Sequence, residues 1–199
     1  YFKGQHTVAS DTVCYPAKLA HGHIESLLDA GVDFIFYPCE SYNLDEHDSV
    51  NHYNCPVVAY YPELLKANNE RLTSDNFIMP YLDLNDEKTT VRALKKALAR
   101  YKLSGAEIKA GLREGFARLE KFHSDVHEKG EEILFKARKE GRPVVVLAGR
   151  PYHVDPEINH GIPELIAAYG LTVLTEDCLP IDFVPKRPVR VNDQWVYHS

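Results

Sequence analysis

The chain has 199 residues, of which 44% are hydrophobic and 26% are charged. This composition predicts a globular protein with one or two compact α/β units. The formal net charge of −6 argues against nucleic acid or an anionic membrane as the main partner. The sequence has no signal peptide and no apolar run of about 18 residues, so we expect a cytoplasmic protein without a membrane partner. It starts at Tyr1 without a methionine, and we expect it to be part of a longer polypeptide.

Helical and extended patterns alternate in the first half of the chain. Residues 16–30 predict a helix, because apolar residues recur at helical spacing and Gly31 follows at the position of a C-terminal cap. Strands are predicted at residues 33–37, 56–61 and 77–82, where β-branched and aromatic residues cluster. These elements form a first α/β unit.

The second half begins with helices and returns to strands. Residues 86–140 are helical in pattern with a break near Ser104, which forms a capping box with Glu107. Residues 143–149 are a continuous apolar run, typical of a parallel strand buried on both faces. A helix at 162–169 and a strand at 171–175 follow, so the order predicts a right-handed βαβ crossover. The fold class is therefore α/β.

Four cysteines are the first candidates for chemistry, and no Cys-x-x-Cys pair occurs among them. In a reducing compartment they are more typical of metal ligands, redox groups or core residues than of disulfides. Cys14 precedes a helix, whose N-terminal N–H groups stabilise a thiolate. Cys39 and Cys178 follow predicted strands, at the edge where α/β sheets bind ligands. Cys55 precedes its predicted strand and would lie at the opposite edge, unless the loop before it folds back over the site.

We interpret Cys14 as half of a metal or redox site, with simple packing in the core as the alternative for each cysteine. His21 lies seven residues after Cys14 and can face the same way along the predicted helix. A histidine at such a position is usually an ordinary surface residue, so His21 is not counted as a site residue.

A polar loop at residues 149–161 follows the apolar strand and forms the second candidate site. Arg150 can bind an anionic group such as phosphate or carboxylate, and His153 or His160 can carry a proton or bind a metal. A solvated connection that merely caps the next helix is the alternative. The sequence has no phosphate-binding loop of the Gly-x-x-x-x-Gly-Lys-Ser/Thr type, so the chain itself is not predicted to be an ATPase.

Several separated motifs together resemble one family. The chain is similar to the 2-hydroxyacyl-CoA dehydratase / benzoyl-CoA reductase type of domain found in proteins related to CoA-substrate-specific enzyme activases. The motifs that carry this resemblance are Ser10 to His23, Asp33 to Cys39, Asn54 to Val58, and Gly149 to His153 with His160-Gly161.

The resemblance implies Rossmann-like parallel-sheet lobes joined by a long helix. It places the first lobe at residues 1–85 with Cys14, Cys39 and Cys55, the helical connection at 86–141, and the start of a truncated second lobe at 142–199. It also implies an iron–sulfur cluster, of the 4Fe–4S type, held by three cysteines. Cys14 and Cys39 match the first two ligand positions, and the third is Cys178 by topology or Cys55 by motif.

The implied function is an iron–sulfur redox domain that accepts or relays an electron from an ATP-driven activator for acyl-CoA chemistry in anaerobic metabolism. The expected partners are an ATP-hydrolysing activase domain on the same or another chain, an acyl-CoA substrate and a second copy of the chain. The residues assigned to the pocket are His153 and His160 for catalysis, and Arg150, Tyr152 and Asn159 for binding a cofactor. The alternative function is a non-catalytic interaction domain of a larger activase polypeptide, without a cluster.

Overall fold

The computed structural model describes residues 1–44 and 52–179. The described chain divides into two compact units, residues 1–111 (unit 1) and 112–179 (unit 2). Unit 1 has the α-helices α1 (Tyr15–Asp29), α2 (Pro56–Asn68) and α3 (Glu87–Ala97), the strands β1 (Ile35–Phe36) and β2 (Phe77–Ile78), and 3₁₀-helices at Phe2–Thr7 and Ala99–Tyr101.

Helix α4 (Gly105–Lys139) begins in unit 1 and continues through unit 2. The remaining elements of unit 2 are the strands β3 (Val144–Leu147) and β4 (Thr172–Thr175), the helices α5 (Pro156–Asn159) and α6 (Ile162–Ala168), and 3₁₀-helices at Pro151–Val154 and Glu176–Cys178.

Helix α1 forms as predicted, because its ends carry suitable residues. Pro16 lies in the first turn, where its missing N–H and fixed φ are tolerated. Gly31 follows the helix with φ of +69°, a left-handed conformation that glycine adopts without a steric penalty. The helix packs its apolar face into the core of unit 1, which contains Ala17, Ile24, Ile35, Tyr61, Leu65, Leu72 and Phe77.

The predicted strand at residues 56–61 is wrong, because this segment begins helix α2. Pro56 occupies the first helical position, which favours a helix start. Ala59, Pro62 and Leu65 are buried at a spacing of three residues, so one helical stripe faces the core despite the β-branched Val57 and Val58.

The parallel pairing of the sheet of unit 1 depends on this helix. Ile35 pairs with Phe77 and Phe36 with Ile78 in parallel, and α2 lies between the two strands in the chain. Parallel neighbours require a crossover connection. Unit 1 therefore contains a β1–α2–β2 arrangement in which the helix replaces the predicted strand.

The break before α4 is confirmed in atomic detail. The Ser104 N–H and hydroxyl donate to Glu107 Oε2 at 2.8 and 2.7 Å, and the Glu107 N–H donates to Ser104 Oγ at 3.2 Å. These bonds satisfy free N–H groups at the helix start. The apolar residues of α4 are covered only in part, since Ile108 is buried whereas Leu119 and Phe122 are exposed.

In unit 2 the strands β3 and β4 pair in parallel, from Val144 with Thr172 to Leu147 with Thr175. The pairing is as the sequence predicts, but the expected burial of β3 on both faces is wrong. Val146 is 42% exposed, because in the described residues the sheet has two strands and its faces are incompletely covered.

The α/β class is thus confirmed at the level of helices with two small parallel sheets. The Rossmann-like lobes and the boundaries at residues 85 and 141 stay predictions, and residues 180–199 of the predicted second lobe lie outside the described chain. Within the described ranges, no helix has both the length and the apolarity that crossing a membrane requires.

Helix α4 packs closely against the turn after β4 at Gly130. A Cβ built on Gly130 would lie 2.1 Å from the carbonyl oxygen of Cys178, whereas a Cβ on Gly115 of the same helix would meet nothing within 4 Å. We expect Gly130→Ala to lower the free energy of unfolding of unit 2 by about 1–3 kcal/mol through overpacking.

Gly115→Ala is the matched control and should raise the free energy of unfolding by about 0.5–1 kcal/mol, because alanine is the better helix former. Urea denaturation followed by circular dichroism measures both variants. Equal shifts in the same direction would contradict the close packing at Gly130.

Candidate functional site

Two exposed cysteines begin the two packed helices of unit 1. Cys14 is the N-cap residue of α1 and Cys55 is the N-cap residue of α2, and a proline follows in the first turn of each helix. Both thiols are therefore accessible to solvent, and each lies beside the free N–H groups of a helix start. The structure therefore corrects the predicted place of Cys55, which lies at a helix start like Cys14 and not before a strand.

Cys39 lies just beyond β1 and is fully buried. Its N–H donates to Pro80 O at 2.8 Å, and its carbonyl accepts from the Leu82 N–H at 3.0 Å, so it continues the parallel pairing past the strand. Burial raises the pKa of Cys39, and the negative charge of Glu63 raises it further, against a smaller lowering by hydrogen bonds from Tyr81 and from the Glu63 backbone. Cys39 is thus held as a neutral thiol.

Tyr81 links Cys39 to the carboxylate of Glu63. Its pKa is raised to about 12, first by its hydrogen bond with Glu63 and then by burial and the neighbouring Cys39. The pKa of Glu40, the residue after Cys39, is raised by burial. At the carboxyl ends of β1 and β2, the pKa values of Cys39, Tyr81 and Glu40 are therefore all raised, which favours their protonated forms.

The sulfur atoms have the right chemistry for an iron–sulfur cluster, since thiolates are its usual ligands. Across residues 1–44 and 52–179, however, no three side chains of His, Cys, Asp or Glu lie close enough together to hold a metal ion. The cysteines are therefore suitable ligands by their chemistry, but among the described residues they do not come together at one metal site.

The fourth cysteine, Cys178, belongs to unit 2. It is half-buried in the 3₁₀-helix after β4, and its Sγ lies 3.0 Å from Thr175 Oγ1. Its backbone packs against Gly130 of α4. Cys178 follows its strand as predicted, and its immediate partners belong to its own unit.

The polar loop of unit 2 is organised around His153. The Arg150 N–H donates to His153 Nδ1 at 2.9 Å, so in the neutral ring the proton is on Nε2. A Cβ on Gly149 would lie 2.3 Å from this Nδ1. Glycine at position 149 therefore allows the ring to fold back over the chain, and its Nε2–H is the group left for an external partner.

The other predicted residues of this loop have different surroundings. Asn159 is 9% exposed, and it uses its amide within the loop, donating to His153 O at 3.1 Å and accepting from the Gly161 N–H at 2.9 Å. His160 is exposed, has φ of +53° and ends α5. Arg150 and Tyr152 are exposed. Asn159 thus holds the loop together, whereas the other three present their side chains outward.

His21, expected from the sequence to be an ordinary surface residue, lies in a buried series of hydrogen bonds. His21 Nδ1 lies 2.7 Å from Thr7 Oγ1, and His21 Nε2 lies 2.9 Å from the Tyr61 hydroxyl. His21 is 3% exposed, and its pKa is lowered, mainly by burial and further by His6. Burial raises the pKa of Tyr61 to about 12, with a contribution from Cys14. Two apolar residues on the same helical face, Ala17 and Ile24, were the available signal that His21 faces the core.

The comparison with known families supports part of the resemblance. Residues 1–179 match the family model of the CoA enzyme activase uncharacterised domain (DUF2229). No curated protein and no solved structure matches the chain. The match supports the activase-related part of the predicted resemblance. The matched range includes every helix and strand described above, and the chain belongs to the CoA enzyme activase uncharacterised domain family.

Proposed function

We propose that this chain is a redox domain of a CoA enzyme activase system, in which an iron–sulfur cluster accepts or relays an electron from an ATP-driven activator. The electron would serve 2-hydroxyacyl-CoA dehydratase-type or reductase-type chemistry. The observation that carries the proposal is the pair of exposed thiols, Cys14 and Cys55, at the N-termini of two packed helices. Membership of the activase domain family supports association with an activase-type system.

Cys39 completes a set of three candidate ligands with this pair. It belongs to unit 1, as do Cys14 and Cys55, whereas Cys178 belongs to unit 2. This distribution favours Cys55 over Cys178 as the third ligand of the proposed cluster. Because the described sulfurs do not form a metal-binding group, the proposal includes a rearrangement of the segments before α1 and α2 that brings the sulfurs together.

In the proposed system the loop of unit 2 contacts an anionic part of the acyl-CoA. Arg150 supplies an exposed guanidinium for bidentate hydrogen bonds, and Tyr152 adds a hydroxyl. His153 would donate through Nε2–H, and His160 would act as a second proton carrier. Asn159 would contribute by keeping the loop in place, since its amide is already hydrogen-bonded there.

A second candidate function is an interaction domain that has no cluster and serves as a scaffold for the activase polypeptide. The observation in its favour is a pair of exposed apolar residues on one face of α4, where Leu119 is 39% and Phe122 is 60% exposed. Exposed apolar patches commonly mark surfaces that bind other proteins.

Anaerobic reconstitution with iron and sulfide separates the two functions. We expect the wild-type chain to take up iron and to gain visible absorbance, with an electron paramagnetic resonance signal after reduction, because thiolates bind iron–sulfur clusters. Cys14→Ala combined with Cys39→Ala should abolish both signals. Cluster binding that survives this double substitution would rule out the proposed ligand set.

Single substitutions identify the third ligand. Cys55→Ala should reduce iron uptake as strongly as Cys14→Ala, whereas Cys178→Ala serves as the matched control and should leave it unchanged. The opposite pattern would assign the third position to Cys178.

Alkylation of the metal-free protein tests the described exposure of the thiols. Cys14 and Cys55 should react with iodoacetamide at least about tenfold faster than the buried Cys39, because alkylation requires access and thiolate character. Mass spectrometry of the modified peptides measures each rate, and unfolding in urea is the control in which all four cysteines should react. After reconstitution we expect protection of Cys14 and Cys55, and unchanged rates would favour the scaffold function.

A further inference from the structure

The 3₁₀-helix Phe2–Thr7, called the N-terminal strap below, packs along α1 and adds a few polar side-chain contacts to it. Lys3 Nζ lies 2.9 Å from Asp29 Oδ2, and both side chains are about half exposed, so this pair contributes little to stability. His6 Nε2 lies 4.0 Å from Glu25 Oε1. The buried link between the strap and the rest of unit 1 is the contact of Thr7 with His21.

The strap also packs backbone to backbone at the same place. A Cβ on Gly4 would lie 2.3 Å from the His21 carbonyl carbon and 2.4 Å from the Gly22 nitrogen. The bound strap therefore covers His21 directly, and access of water to His21 requires the strap to move.

The direction of the hydrogen bonds fixes the protonation of the bound state. Thr7 Oγ1 donates its single hydrogen to Gly4 O at 2.9 Å, so it must accept from His21 Nδ1–H. In the neutral ring Nε2 then has no proton, and it accepts from the Tyr61 hydroxyl. Each group in this series of hydrogen bonds, from the Tyr61 hydroxyl to the Gly4 carbonyl, thus has a partner. His21 takes part in it as a neutral imidazole.

We propose that the N-terminal strap is released by mild acid, and that protonation of His21 is the switch. A second proton on His21 would occupy Nε2 and turn it into a donor. The Tyr61 hydroxyl would then have to find another acceptor in a site where Tyr61 is 3% exposed. A buried hydroxyl without a hydrogen-bond partner destabilises the folded state. Protonation of His21 therefore destabilises the state in which the strap is bound.

The charged groups around His21 act in the same direction or are already neutralised. His6 on the strap is 65% exposed, and in its protonated form it repels a charged His21. Glu25, one turn further along α1, is buried but accepts from Arg71 Nη1 and Asn69 Nδ2, each at 2.5 Å. From α2 the facing group is Tyr61, whose other electrostatic neighbours are Cys14 and Tyr37.

The sign of the effect follows from the lowered pKa of the bound His21. A released strap leaves His21 in water with an ordinary pKa near 6.5. Binding of the strap is therefore fully favourable above about pH 6.5 and weakens as the pH falls below it, by at most tenfold per pH unit. At pH 5.5 we expect the open population of the strap to be higher than at pH 7.5, by up to about tenfold.

Amide hydrogen exchange of the full chain, read by NMR as protection factors corrected for the intrinsic pH dependence, measures this opening. Between pH 7.5 and 5.5 the protection of residues 4–7 should fall, by up to about tenfold, while that of Ala59 and Leu65 in α2 stays constant. His21→Gln should remove the pH dependence at residues 4–7. His23→Gln, at an exposed position of α1, is the matched control and should keep it.

A second measurement on the wild-type chain keeps the proposal testable if His21→Gln does not fold. The imidazole ¹⁵N shifts should show His21 neutral with its proton on Nδ1 at pH 6.5, and its protonation should accompany the loss of strap protection. The proposal is overturned if residues 4–7 keep their protection down to pH 5.5. It is equally overturned if the strap opens while His21 remains neutral, or if His21→Gln retains the pH response.

Discussion

The packing of α1 against α2 depends on Tyr61, which belongs at once to the apolar core and to a buried polar chain. Its ring lies in the cluster that contains Ala17, Ile24 and Leu65, and burial of such aromatic surface is a major source of stability. Its hydroxyl meets His21 Nε2 at 2.9 Å, so burying the polar end leaves no unsatisfied group. One side chain thereby fixes the helices that carry Cys14 and Cys55 at their starts.

Local signals in the sequence were enough to predict the ends of those helices that carry capping residues. Gly31 ends α1 and Gly141, with φ of +66°, follows α4, while Ser104 and Glu107 begin α4 with the predicted reciprocal hydrogen bonds. Each signal acts within a few residues, and therefore it can be read without knowledge of the fold.

The error at residues 56–61 has the opposite cause. Val57 and Val58 favour strands, and Pro62 is unfavourable inside a helix because it has no N–H to donate. The buried positions of Pro62 and Leu65 show that packing against the core of unit 1 decided the conformation. Such long-range contacts override local propensity, and they were invisible in the sequence.

The same limit explains which site residues could be predicted. Cys14, Cys39 and Cys178 lie at helix starts or beyond strands as expected, since these places follow from chain order. The burial of His21 is created by Thr7 and Gly4, which precede it by 14 and 17 residues. The apolar pattern within α1 could indicate that His21 faces inward. It could not indicate that the Thr7 hydroxyl, from a separate segment, would form a hydrogen bond with the His21 ring.

The unequal exposure of the cysteines bears on both candidate functions. Cys39 is shielded from water, whereas Cys14 and Cys55 are open to it, and a low-potential iron–sulfur cluster depends on burial to tune its potential and limit contact with solvent. A cluster bound to the two exposed thiols would therefore need a cover supplied by a neighbouring surface. In the proposed function, the partner that delivers the electron would also provide this cover, because its docked surface would exclude water from the exposed thiols.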